Sequence, residues 1–367
     1  MKRNSLICLL LAATLATTGL TGCGTNTPAT TENTTTAATT EAPIDTPKPD
    51  THLHMDTTEF PDAFDFSDTE AIERMFDVCE IVDGARIEVQ KRSKTIRIRA
   101  EVNETKFTLN VNLSGAAGHT KPYQIVTAAK LFWYCYPQMY ARFAVKSSPT
   151  TITIKFENFG YEIASAGGSE VHIHDTWLQK NPQDFDCLTH ELAHVLQGGW
   201  DGNYVPSYTD PETGNKDTYM IERFVDYCRY LYAYKGGYYN DMGWSLQTVS
   251  SENTYYKSVR MWVYLDYTYS TPDADIMKRI QEAVIAKKYG NEDWEPEGKA
   301  WAEIFKGTEA EGKTLTQLWD EYAAAPMAKL TTKPREQGGK SALLMSVPLR
   351  AALRERFKDV ASYLKVN

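Results

Sequence analysis

The stretch His190-Glu191-Leu192-Ala193-His194 decides how this sequence is interpreted. Residues i and i+4 lie on the same face of an α-helix. On a helix, therefore, His190 and His194 bring two imidazoles close enough to bind one zinc ion, and Glu191 can hold a water molecule beside it. The spacing predicts a helix that carries a zinc-dependent hydrolytic site. Because the pattern fixes only three residues and chance matches occur, the surrounding sequence has to supply the rest of the site.

A hydrolytic zinc site needs a third protein ligand, and the next predicted helix, Thr218–Tyr234, offers two. Glu222 and Asp226 are four residues apart and therefore face the same way. One carboxylate would bind the metal, and the other would accept the free N–H of a ligand histidine and so fix its tautomer. The alternative is a pair of solvated acids with local salt bridges to Arg223 or Arg229. The Glu-x-x-x-Asp spacing resembles the gluzincin arrangement, which implies Glu222 as the ligand; the reverse assignment stays open.

The N-terminus is typical of a bacterial lipoprotein signal. Met1-Lys2-Arg3 is followed by the apolar run Leu6–Leu15, which is too short to span a membrane as a stable helix. Leu20-Thr21-Gly22-Cys23 resembles a lipobox, in which Cys23 carries the lipid and becomes the mature N-terminus. We therefore expect residues 1–22 to be a signal peptide and the mature chain to be anchored outside the cytoplasm. The alternative is an ordinary signal peptide that contains a cysteine.

Composition divides the rest of the chain into four parts. Residues 23–56 are rich in Thr, Ala and Pro and are predicted to be a disordered tether. Residues 57–118 are predicted to form a small α+β region, because apolar and polar side chains alternate there as in half-buried antiparallel strands. Residues 119–326 are predicted to form the main domain. Residues 327–367 form a polar, basic extension to which the sequence assigns no role.

The main domain is predicted to be α+β, with a mixed sheet, an edge strand at the cleft, the HExxH helix and a mainly helical C-terminal part. The long helix Lys121–Phe143 is predicted to be interrupted or kinked at Pro137. Ala164–Gly168 is predicted to be a loop of small residues before the strand Ser169–His174. The remaining elements predicted there are the strand Thr150–Phe156, the helix Asp184–Leu196 ended by Gly198-Gly199, the loop Asp201–Lys216, and the helices Thr254–Thr268, Ala274–Lys288 and Leu315–Ala325.

Charge and cysteine content narrow the class of protein. The formal net charge is −9, and loss of Lys2 with Arg3 would make it −11, which argues against nucleic acid as a partner. The mature domain would keep four cysteines, whose spacing shows no CxxC zinc pattern. Outside the cytoplasm these cysteines could form disulfides, and buried free thiols are an equally plausible alternative. These cysteines are Cys79, Cys135, Cys187 and Cys228.

Three ordered motifs carry a resemblance to a known family. His190–Gln197 reads HExxHxxQ, Ile221–Tyr230 ends in Asp-Tyr-Cys-Arg-Tyr, and Gly312–Tyr322 reads GKTLTQLWDEY. Tyr256–Leu265 and the strand Gly167–Ile173 add to the match. Together these segments resemble the "peptidase of plants and bacteria" family, also called the plant basic secretory proteins, over roughly residues 120–325. The sequence departs from that family at Arg223-Phe224-Val225, where the family has Gly-Ile-Ala, and at Val259-Arg260, where it has Thr-Ala.

The resemblance implies a zincin-like metallopeptidase fold in which His190, His194 and Glu222 bind Zn²⁺ and Asp226 orients a histidine. Glu191 would be the general base. An oxyanion donor is also needed, and Tyr256 is the best candidate because it begins a family-like segment; a packing role is the alternative. His172 and His174 precede the HExxH helix on one face of a strand, where they either line the cleft or are simply solvated.

The sequence therefore predicts a membrane-anchored, extracytoplasmic zinc metallopeptidase that hydrolyses peptide bonds, most simply as an endopeptidase acting on peptide or protein substrates. The alternative is a catalytically inactive zincin scaffold that serves as a surface binding lipoprotein. Arg223 supports this alternative because it places bulk beside the proposed third ligand. Glu191 supports the enzyme, since a scaffold without turnover has no use for a general base. A structural lipoprotein with a fortuitous HExxH is a third interpretation, which the three motifs disfavour.

Overall fold

The structure is a computed structural model that describes residues 60–116, 118–160, 163–182, 185–198, 208–209, 216–217, 219–233 and 259–325. The predicted signal peptide, Cys23, the tether, Tyr256 and the extension 327–367 lie outside the described residues. Among the described residues, no helix is both long enough and apolar enough to cross a membrane.

A mixed six-stranded sheet forms one layer of the fold, as predicted. Its strands are β1 (Arg86–Gln90), β2 (Thr95–Val102), β3 (Thr105–Asn112), β4 (Thr151–Glu157), β5 (Ala164–Gly167) and β6 (Glu170–His174). They are ordered β1-β2-β3-β4-β6-β5. The β1–β2, β2–β3 and β5–β6 pairs are antiparallel, whereas the β3–β4 and β4–β6 pairs are parallel. The α+β class is therefore confirmed.

The alternating sequence of β2 and β3 explains their place in this sheet. Every second residue of these strands is apolar and buried, so one face packs on the core and the other is polar. The turn between them, Asn103-Glu104, has positive φ at both residues, as a tight two-residue hairpin requires. The antiparallel pairing predicted for residues 85–114 is confirmed, but these strands belong to a larger sheet, because β3 also pairs in parallel with β4. The boundary predicted after residue 118 thus divides strands of one sheet.

Nine helices are present in the described part of the chain. They are α1 (Thr69–Met75), α2 (Pro122–Phe143), α3 (Trp177–Lys180), α4 (Asp186–Leu196), α5 (Tyr219–Tyr232), α6 (Val259–Tyr269), α7 (Ile276–Ile285), α8 (Lys299–Ile304) and α9 (Leu315–Ala324). A 3₁₀ turn, Asn291–Trp294, precedes α8. The C-terminal part is mainly helical, as predicted. Within the segment predicted to be a loop, β7 (Tyr208–Thr209) and β8 (Lys216–Asp217) form a small antiparallel pair.

Two local predictions differ from the structure. Helix α2 continues through Pro137, so the predicted interruption is wrong, because most of its side chains are buried and tertiary packing outweighs the lost backbone hydrogen bond; the alternative, a kink, stays a prediction. The small residues after Ala164 were expected to form a loop, but they form β5, whose backbone pairs with β6 without any contribution from large side chains. At this end of the sheet the edge strand is therefore β5, and β6, which carries His172, lies inside the sheet.

Helix α4 lies where the sheet and the helical part meet. It contacts β5 and β6 on one side and α2 and α5 on others. Its C-terminal end is held by the loop after α2: Ser148 Oγ donates to the carbonyl of Leu196, and a Cβ at Gly198 would come within 2.2 Å of Ser147 Oγ. Gly198 also has φ +75, which glycine adopts readily at the end of a helix.

A buried ionic network joins α2, α5, α6 and the start of α7. The guanidinium of Arg142 donates to Asp266 Oδ1 and to Asp275 Oδ2, each at 2.7 Å. It also donates to the hydroxyl of Tyr227 at 3.0 Å, and that hydroxyl donates in turn to Asp266. Because Tyr227 follows Asp226 in α5, this network fixes the helix that carries both candidate acids.

The cysteines of the described residues favour the buried-thiol alternative. Cys135, Cys187 and Cys228 lie in helices and are buried, whereas Cys79 is exposed. No disulfide joins these four cysteines. Burial raises the pKa of the Cys228 thiol well above its ordinary value, which keeps this thiol protonated and unreactive.

Candidate metal centre

His190 and His194 lie on successive turns of α4 and face the same way, as the HExxH spacing predicts. Their ring centroids are 5.0 Å apart, with an angle of 75° between the ring planes. Both side chains are mostly buried, with 18% and 15% of their surface exposed. Partial exposure leaves the imidazoles open to a small cation.

Glu222 on α5 brings a carboxylate to the same point. Its Oε2 lies 3.5 Å from His190 Nε2 and 3.7 Å from His194 Nε2, and ligand atoms of these three residues all lie within 4.8 Å of one another. Tetrahedral zinc with bonds of about 2.1 Å separates its ligand atoms by about 3.4 Å. Two imidazole nitrogens and one carboxylate oxygen at these distances fit zinc with little movement.

Asp226 lies on the other side of His190. Its Oδ1 is 3.0 Å from His190 Nδ1, the nitrogen that points away from Glu222. Its Oδ2 accepts a hydrogen bond from Arg223 Nη1 at 2.8 Å. This geometry supports Glu222 as the ligand and Asp226 as the residue that fixes the histidine tautomer, with Nδ1–H donating to the carboxylate.

Arg223 forms an ion pair with Asp226 at 2.8 Å. With Arg223 in this position, the ligand atoms of Glu222 and both histidines still lie within 4.8 Å of one another. Arg229 lies 3.7 Å from Asp226 Oδ1 and donates from Nε to Asp186 Oδ2 at 2.9 Å. Asp186 is in the first turn of α4, so Arg229 also ties the two site helices together. The sequence analysis missed this link.

The sequence analysis also missed the contact made by Gln197. Its Oε1 lies 3.1 Å from His194 Nδ1, so each histidine has an acceptor for its Nδ1–H. The signal was present in the sequence, because Gln197 is three residues after His194 and neighbours it across one helical turn.

Contacts among charged groups, more than burial, set the pKa values of the three candidate ligands. Burial disfavours the charged form of His190, but the hydrogen bonds to Asp226 and Glu222 outweigh burial and raise its pKa to about 10. The pKa of His194 is also raised, because the contact with Glu222 outweighs burial. The two histidines in turn hold the pKa of Glu222 far below its ordinary value, against the effect of burial. Binding of a cation therefore has to displace protons from the histidines.

Glu191 is partly buried on α4, between the two histidines in sequence. Burial raises the pKa of this carboxyl, whereas the nearby charges of His190 and His194 oppose the rise. A raised pKa makes the carboxylate a stronger proton acceptor, which a general base requires.

His172 and His174 are not part of this centre. They alternate on β6 with Val171 and Ile173, which are buried in the core, so the two histidines lie on the opposite face of the sheet. His172 Nδ1 lies 2.5 Å from a carboxylate oxygen of Glu157. Their partial burial fits the alternative of a polar, partly solvated face, and a position in the cleft stays a prediction.

Comparison with known protein-family models, curated proteins and solved structures found no match.

The segment Gly312–Tyr322 has a structural role. Lys313 Nζ lies 2.8 Å from Glu321 Oε1, and the hydroxyl of Tyr269 donates to Glu321 Oε2. Thr314 caps the first turn of α9 by accepting from the backbone of Gln317. These contacts hold α9 against the end of α6.

Proposed function

We propose that this chain is a zinc-dependent metallopeptidase with a zincin-like fold, and that Zn²⁺ is its cofactor. One observation carries the proposal: the ligand atoms of His190, His194 and Glu222 converge at distances that suit tetrahedral zinc. Glu191 lies on the same helix, directly after His190. Asp226 adds support because it orients one of these histidines.

Zinc, when bound, supplies a Lewis acid that polarises the scissile carbonyl and makes a water molecule more acidic. Glu191 takes the proton from the attacking water and passes it to the leaving amine, so the carboxyl ends the cycle ionised, as it began. Asp226 and Gln197 hold the Nδ1 protons of His190 and His194, which leaves both Nε2 lone pairs directed at the site.

The sheet supports a peptide as the substrate. Strand β5 is the last strand in the sheet order and contacts α4, the helix that carries His190 and His194. The backbone groups on such an edge can pair with an extended peptide. In zincin-like folds the strand bordering the cleft binds the substrate in this way, and we assign that role to Ala164–Gly167.

Metal removal tests the proposed function. Purified mature chain is expected to cleave members of a quenched-fluorescent peptide library, to lose this activity on dialysis against a chelator, and to recover it with about one equivalent of zinc. Hydrolysis that persists after complete removal of zinc would contradict the mechanism. A chain that binds zinc but cleaves no peptide would support the inactive-scaffold alternative instead.

We further propose that Cys23 carries a lipid that anchors the protein outside the cytoplasm of a bacterial cell. The support is the lipobox-like Leu20-Thr21-Gly22-Cys23 directly after an apolar core. In a bacterial host fed labelled palmitate, the wild-type chain is expected to incorporate label and to fractionate with membranes. The Cys23→Ser variant is expected to do neither, and equal labelling of the two chains would exclude this anchor.

A further inference from the structure

The C-terminal end of α4 carries a buried glutamine with an unusual hydrogen-bonding state. Gln197 is 1% exposed, and its Oε1 lies 3.1 Å from His194 Nδ1. Its Nε2 is buried and has no hydrogen-bond partner in the described part of the chain. Among the described residues, the amide therefore provides an acceptor for the histidine while its own Nε2 donor has no acceptor.

Packing alone does not explain a glutamine at this position. A buried donor without an acceptor destabilises the folded state, and an apolar side chain of similar volume would avoid that penalty. A ligand histidine does explain it. When Nε2 of His194 binds a metal, Nδ1 carries the proton, and this proton needs an acceptor.

The backbone around Gln197 is fixed, so the amide can hold the imidazole in one orientation. The N–H of Gln197 donates to the carbonyls of Ala193 and His194, and Ser148 Oγ donates to the carbonyl of Leu196. Ser147 packs so closely on Gly198 that no side chain fits there. The end of α4 is thus held on both sides of Gln197.

We infer that Gln197 is the positioning residue for His194, as Asp226 is for His190. Its hydrogen bond increases the affinity for zinc, while its unsatisfied donor lowers the stability of the folded chain. This inference rests on the proposed function. The two histidines then differ: His190 donates to an ionised carboxylate, whereas His194 donates to a neutral amide. The neutral acceptor limits the negative charge gathered around the metal ligands.

Zinc affinity and apo-protein stability, measured together in Gln197→Leu, test this inference. We expect zinc affinity, measured by competition with a chromogenic chelator, to fall about 10–100-fold. The melting temperature of the metal-free protein is expected to change little, because the unsatisfied Nε2 of Gln197 is removed while His194 Nδ1 loses its acceptor. Gln197→Glu keeps an acceptor oxygen and should recover most of the lost affinity.

Gln281→Leu is the matched control, since Gln281 on α7 is also 1% exposed and both of its amide atoms lack a partner among the described residues. It should leave zinc affinity unchanged. Wild-type zinc affinity in Gln197→Leu, or a fall in its metal-free melting temperature that accounts for the weaker binding, would overturn the inference. A wild-type chain that binds no zinc would instead overturn the proposed function.

Discussion

The Glu191→Gln variant is expected to lose peptide hydrolysis by about 10²–10⁴-fold while it keeps one zinc ion per chain. Glutamine has nearly the same shape as glutamate but cannot accept the proton of the attacking water. Zinc should remain because Glu191 is not among the three residues whose ligand atoms converge. The measurement pairs hydrolysis of a quenched-fluorescent peptide library with zinc content determined on the same preparation.

Glu303→Gln provides the matched control for this variant. Glu303 is exposed on α8, so the same change of charge there should alter neither hydrolysis nor zinc content. Unchanged hydrolysis in Glu191→Gln would remove Glu191 from the mechanism. Parallel loss of zinc and activity would show that Glu191 acts on the metal and not on the water proton.

The second large effect is expected when Glu222 or Asp226, the two acids on α5, is replaced by alanine. Glu222→Ala is expected to weaken zinc binding far more than Asp226→Ala, for which a loss of about 10–100-fold is expected. Glu222 Oε2 approaches both Nε2 atoms, where zinc would bind, whereas Asp226 contacts Nδ1 on the far side of one ring. Loss of Glu222 removes one of the atoms that bind zinc. Loss of Asp226 leaves all three ligands in place and removes only the hydrogen bond that fixes the orientation and tautomer of His190.

Competition titrations against a chelator would rank these two variants. Arg223→Ala is a useful comparison, because it removes a neighbour of Asp226 and leaves every proposed ligand in place. We expect its zinc affinity to stay closer to wild type than that of either acid variant. A greater loss in Asp226→Ala than in Glu222→Ala would reverse the assignment of the third ligand.

Elements with a strong periodic signal were predictable from the sequence. The alternation in β2 and β3 placed their apolar residues on one buried face, and the structure confirms it. The C-terminal end of α4 at Leu196 was predicted from Gly198, whose positive φ ends the helix. In these segments local preference and tertiary burial agree, so a single sequence is sufficient.

Other features depended on contacts between distant segments. Strand β5 consists of small residues with little strand preference, and only its pairing with β6 makes it a strand. Strands β3 and β4 pair in parallel, and α2 is the connection between them. No local sequence pattern predicts this pairing. Pro137 weakens a helix locally, but burial of the surrounding aromatic side chains maintains it.

Part of the candidate centre was likewise predictable from the sequence, and part depends on how distant segments pack. The spacing of His190, His194, Glu222 and Asp226 placed each residue on the correct helical face, and the structure brings the four together. The link through Arg229 was not predictable, because it depends on how α4 and α5 pack. The position of Tyr256 lies outside the described residues, so its role as oxyanion donor stays a prediction.

The metal's coordination is the most direct test of the central claim. X-ray absorption at the zinc edge of the zinc-loaded wild-type chain is expected to show only nitrogen and oxygen neighbours at about 2.0–2.2 Å, with the outer scattering of two imidazoles. The same measurement on Glu222→Ala should retain both imidazoles and lose the carboxylate. Sulfur neighbours at about 2.3 Å, or a spectrum without imidazole, would contradict a zinc site formed by His190, His194 and Glu222.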